Sequence, residues 1–121
     1  MVLLALTIRF LNLFLAALAV GTMFGVCLVF NPTGLDGTSY VTLQQQGIRQ
    51  LNVVMPILGA VTIAMTLAAA VMARADTTLL ALFVATALAF LLAGLITRFL
   101  NQPINAIVIQ WPPSSPPPAW T

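Results

Sequence analysis

The sequence predicts an all-α membrane protein with three transmembrane helices. Composition is the first observation: 61% of residues are hydrophobic and 5% charged, whereas a soluble domain carries about 25% charged residues to keep its surface wet. The second is run length, because the apolar residues gather into stretches of about 20, enough to cross a hydrocarbon core of about 30 Å. The third is periodicity. The runs do not alternate as barrel strands of about 10 residues would, so each must satisfy its backbone polar groups internally, as a helix.

The first span reads from about Leu4 to Phe30 and stops at Asn31-Pro32-Thr33-Gly34, where proline restricts the residue before it and glycine permits a turn. Ala17-Leu18-Ala19 has the small-residue look of a signal cleavage site. A secretory core, however, is about 7–15 residues long, and this run continues from Phe10 to Phe30, so the span is expected to be retained. Within Gly21-Thr22-Met23-Phe24-Gly25, Gly21 and Gly25 stand one turn apart and are the candidate helix-packing residues, since a second backbone can approach there. The single cysteine, Cys27, leaves no internal disulfide and no Cys-x-x-Cys pair.

The second helix is expected over 39–73. It opens amphipathically, with Tyr40, Leu43, Gly47 and Leu51 on one side and Thr42, Gln45, Gln46 and Arg49 on another. It then merges into an apolar stretch from Leu51, so its start projects beyond the hydrocarbon. Arg74-Ala75-Asp76-Thr77 turns the chain, and Thr77 or Thr78 caps a third helix over 77–101 that ends near Asn101-Gln102-Pro103. Residues 102–121 read as a proline-rich loop or tail in which Trp111 to Pro118 favours extended polyproline geometry. Trp111, Trp120 and Tyr40 suit a membrane–water boundary. Arg9 and Arg74 fall on one membrane face and Arg49 and Arg98 on the other, so the positive-inside rule is balanced; the short Arg74 turn and the free amino terminus tip the reading toward an inside N-terminus.

Composition also excludes functions. With no histidine and two separated aspartates, the chain lacks the ligand clusters of zinc and di-iron sites and the imidazole of a histidine-ligated haem, so no metal and no cofactor is expected. The net charge of +2 comes from four arginines against Asp36 and Asp76, without the basic stripe that neutralises phosphates, so nucleic acid is not expected as a partner. The expected partners are the lipid bilayer and other transmembrane helices.

One membrane face collects the unusual polar residues, Gln44, Gln45, Gln46, Arg49, Asn52, Arg98, Asn101 and Asn105. Arg49 with Asn52, and Arg98 with Asn101, are helix neighbours three apart. The candidate polar pocket is Gln46, Arg49, Asn52, Arg98, Asn101 and Asn105; the other reading makes them interfacial anchors and caps. Pro56 has no N–H to give the Asn52 carbonyl and so leaves an acceptor free beside them. On the opposite face, Asn12 either hydrogen-bonds across helices or sits near headgroups.

Gly21-Thr22-Met23-Phe24-Gly25, then Gln45-Gln46 with Arg49, Asn52 and Met55-Pro56, then Thr97-Arg98-Phe99-Leu100-Asn101-Gln102-Pro103-Ile104-Asn105 resemble, in this order, the anthrone oxygenase-like membrane family, much of which has no known function. The Asn-x-Pro-Ile/Leu-Asn signature is moderately specific, and the likeness covers nearly the whole chain. It implies an antiparallel four-helix bundle of which these residues supply three helices. Family members continue past the tryptophan into an Arg/Trp-rich segment with a histidine and a fourth helix, so by this likeness the chain, ending at Thr121, is expected to lack that part. The resemblance further implies oxygen chemistry without metal or flavin on an aromatic polyketide, with the pocket amides and arginines holding a phenolate and stabilising an oxyanion. Against that, no general base remains, since histidine is absent and both aspartates lie in loops.

Two functions therefore stand open. The first is a small helical-bundle protein without self-evident catalytic chemistry, acting as an accessory or structural subunit or a homo-oligomer. The alternative is a cofactor-free anthrone oxygenase-like enzyme or a binder of a small aromatic compound.

Overall fold

Helix starts are set by which acceptor meets the free N–H groups of the first turn. The computed structural model describes residues 2–31 and 33–118. Helix α1 spans Val2–Val29, α2 Gly37–Met72 and α3 Thr77–Ile96. Asp36 accepts from the Ser39 N–H at 3.0 Å and the Ser39 hydroxyl at 2.7 Å. These bonds hold its carboxyl below the usual carboxylate range, the hydroxyl bond first. They also start α2 at Gly37, ahead of Ser39. Asp76 accepts from the N–H groups of Thr78 and Leu79, both at 3.0 Å. A carboxylate complements the positive end of the helix dipole, which is why Asp76 caps α3 in place of Thr77 or Thr78. Gly34, at φ +84°, makes the turn between α1 and α2; Pro32, part of the expected stop, lies outside the described residues, as does Trp120.

The third helix is longer than the sequence reading. It does not end at Asn101 but passes through a π-helical turn, Thr97–Asn101, into α4, Gln102–Val108. Pro103 was read as a terminator because it breaks the regular ladder. Instead the helix widens ahead of it: the Gln102 N–H reaches back five residues to the Thr97 carbonyl. The proline then occupies the first turn of α4, where a missing N–H costs little. Residues Thr77–Val108 form one continuous rod. Beyond it the proline tail is non-helical as expected, but it bends, with Ser115 N–H on the Pro112 carbonyl at 3.0 Å.

Helix α2 is the central element. Both α1 and the α3–α4 rod pack on it, and α1 and α3 do not meet: no Cα pair between them comes within 8 Å among the described residues. The buried contacts are small. Ala19, Ala69, Ala70, Ala73 and Ala87 are buried with Thr62 and Thr66, the side chains that let helix backbones approach without a hydrophobic driving force. Large side chains point outward instead, with Phe10, Phe24 and Phe99 each at least 65% exposed. Of the most apolar windows of the three long helices, only 11%, 22% and 6% is buried inside the molecule. Burial between these helices therefore cannot be what made them apolar, and all three are long and apolar enough to cross a membrane.

Polar groups on these helices are satisfied locally. Thr7, Thr22, Thr62, Thr66 and Thr86 each donate to the carbonyl four residues back, as hydroxyls do where water is missing. Asn12, buried, donates to the Thr66 hydroxyl, so of its two readings the cross-helix bond is the one present, and it pins α1 to α2. Three residues before it, Arg9 keeps a buried Nε without a hydrogen-bond partner.

Candidate functional site

The polar residues of interest stand where α1 ends, α2 begins and the rod ends. Gln45 organises them. Its spacing with Val41 and Ile48 puts it on the buried stripe of α2, and its Nε2 donates to the carbonyls of Val108, Ile109 and Trp111 at 3.1, 3.3 and 2.7 Å. These carbonyls come from the last turn of α4 and the residues after it, where a helix leaves acceptors without donors. One amide thus ties the start of α2 to the end of the rod.

Two turns further along α2, Asn105 Nδ2 donates to Asn52 Oδ1 at 3.3 Å. This pair divides two open depressions. On one side, a space of about 450 Å³ is lined by Arg49, Asn52, Arg98, Gln102 and Asn105 with Ile48, Pro103, Ala106 and Ile109. Both arginines are exposed. Arg98 gives one N–H to Gln102 Oε1 at 2.8 Å, which leaves most of its five donors for other acceptors. No acidic residue lines this space.

On the other side lies a cleft of about 240 Å³ floored by α2, with Met23 and Val26 of α1 and Phe30 just after it facing Thr97, Asn101, Ile104 and Asn105 of the rod. Phe30 occupies the space over Gly47, where a Cβ would collide with its ring. Gln44, also on this cleft, donates to the Tyr40 hydroxyl at 2.8 Å.

Of the six residues read as a pocket, the structure therefore groups Arg49, Asn52, Arg98 and Asn105 around the first depression. Asn101 belongs to the cleft, and Gln46 is exposed and lines neither. The residue missed was Gln45, placed by the sequence reading on the polar side of the lead-in. Its spacing of four from Val41 and three before Ile48 was the signal, because that triplet makes one helix face. Gly21 and Gly25 face open space: beyond their own turn of helix, none of the described residues comes within 4 Å of where a Cβ would stand. Gly47, by contrast, is needed for internal packing.

No family model, curated protein or solved structure matches the chain. What the site does must be argued from its residues. Two guanidinium groups and two carboxamides offer donors to an anion or a polarised carbonyl. The second depression adds an apolar wall. Among the described residues that line them neither space has a carboxylate or an imidazole, and the donors present can bind and orient a ligand.

Proposed function

We propose that this is an integral membrane protein that works by packing, as a homo-oligomer or as an accessory subunit of a larger membrane assembly. The observation that carries this reading is the gap between α1 and α3, which pack on α2 and not on each other. A layer of three helices exposes the inward faces that a closed bundle would cover. In an antiparallel four-helix bundle the fourth position lies over that gap. Open space beside Gly21 and Gly25 on α1 suits a further backbone. Cross-linking the purified chain in lipid nanodiscs at increasing protein-to-disc ratio tests it. Discrete dimers or higher species, or a stable co-purifying membrane protein, are expected; a strictly monomeric chain without partner removes its basis.

A second reading is favoured by the grouping of Arg49, Asn52, Arg98 and Asn105 around one depression. It is the anthrone oxygenase-like one, a cofactor-free oxygenase or a binder of a small aromatic compound. Here amide and guanidinium donors hold a phenolate and stabilise an oxyanion, and the proton acceptor comes from substrate or from residues beyond these. Oxygen uptake on an anthrone by the full natural chain, lowered by Asn105→Ala, supports it; uptake at the uncatalysed rate removes it.

A further inference from the structure

The two depressions share Ile48, Asn52 and Asn105, so a charged end and an apolar end lie side by side. Arg49 and Arg98 come from different helices and face the same space, with no carboxylate lining it. The two aspartates of the chain are both engaged as helix caps. Beyond the Asn52–Asn105 bond the apolar cleft runs between α1 and the rod, whose described Cα atoms stay more than 8 Å apart. A ligand that fills both halves carries an anionic head and a hydrocarbon body.

Depth selects among such ligands. At about 1.5 Å per residue, Arg98 stands about 32 Å along the rod from Thr77, and Arg49 about 36 Å along α2 from Ala73. A hydrocarbon core is about 30 Å thick and the bilayer with headgroups about 40–45 Å. With the Arg74 turn at one hydrocarbon boundary, both guanidinium groups reach the phosphates of the opposite leaflet, and Met55, about 27 Å along α2 from Ala73, marks the end of the cleft that lies on their hydrocarbon side.

We propose that this site holds one anionic phospholipid of that leaflet, its phosphate between Arg49 and Arg98 and an acyl chain leaving the site past Met55. Guanidinium groups fit phosphate oxygens through paired N–H donors, and an exposed arginine pair at the surface of a membrane prefers an acidic headgroup to a zwitterionic one. The inference rests on the integral membrane reading and is independent of whether the chain oligomerises.

The test is native mass spectrometry of the detergent-purified full chain with dioleoyl phosphatidylglycerol or dioleoyl phosphatidylcholine added. One phosphatidylglycerol is retained, with a preference of about tenfold over phosphatidylcholine, the order expected from two arginines near a charged headgroup. Arg49→Gln with Arg98→Gln brings the two lipids to parity, while Arg74→Gln, in the exposed turn at the other end, leaves the preference unchanged. Met55→Trp fills the cleft without touching charge and lowers retention of both lipids. Millimolar inorganic phosphate leaves the lipid in place; if it displaces the lipid, the site belongs to a free anion. Equal retention of the two lipids by the unmodified chain, an equal loss in Arg74→Gln, or displacement by an equimolar hydroxyanthrone overturns the proposal. Each of these leaves the chain a membrane protein, so failure here is distinct from failure of the reading beneath it.

Discussion

Gln45 donates to the carbonyls of Val108, Ile109 and Trp111, of which Val108 also accepts from the Trp111 N–H. Leucine at this position keeps the volume and removes the donor, and a buried acceptor left without a partner costs about 1–3 kcal/mol. Gln45→Leu is therefore expected to release the segment from Val108 to Trp111 and to speed amide exchange there, with α1 and its contact to α2 unaffected. Gln46→Leu, one residue round the helix and exposed, is expected to change neither; equal exchange in the two variants would contradict the role given to Gln45. The difference between these neighbours was hard to read in the sequence because three glutamines stand in a row, and only the burial of Val41 and Ile48 tells which one faces inward.

The elements divide in the same way between what pattern reveals and what packing adds. Helix existence was legible throughout, since runs of leucine, alanine and valine at this length have no other way to satisfy their backbone in an apolar phase. The caps were less so, because Asp76 and the two threonines after it are all good capping residues and charge decides between them. The rod's extension past Pro103 was not legible, because proline stops most helices and its accommodation by a π-helical turn depends on the whole ladder. Glycine shows the same limit. Gly21 and Gly25 have the spacing of a packing motif and face open space, whereas Gly47, in no motif, lies under Phe30. Gly47→Val is expected to displace that ring and destabilise the α1–α2 contact by about 1–3 kcal/mol. Gly21→Leu with Gly25→Leu should leave the monomer intact and reduce cross-linked oligomer severalfold. Thermal unfolding in detergent and cross-linking yield separate the two effects, and an unchanged yield would take those glycines out of the interface.

At the scale of the molecule, the arrangement has an alanine and threonine interior and an exterior of leucine, valine and phenylalanine. A chain folded in water would bury the larger groups, since each gains about 1.5–3 kcal/mol on leaving water. Here they are turned out, while threonine hydroxyls are bonded to their own helices. The candidate site lies at one end of the three helices, where Gln45 and Asn105 tie α2 to the rod. The sequence placed Arg49, Asn52, Arg98 and Asn105 at that end, but their grouping around one depression needed the Asn52–Asn105 register, which no spacing rule supplies.

On the integral membrane reading, three crossings put Thr33 and Ser114 on one face and Ala75 on the other. The most direct measurement introduces single cysteines at these positions in a Cys27→Ser background and labels sealed vesicles of one orientation with a membrane-impermeant maleimide. Thr33→Cys and Ser114→Cys are expected to label from the same face and Ala75→Cys only from the opposite one. Labelling of all three from a single face would contradict the crossing of the bilayer on which the whole account depends.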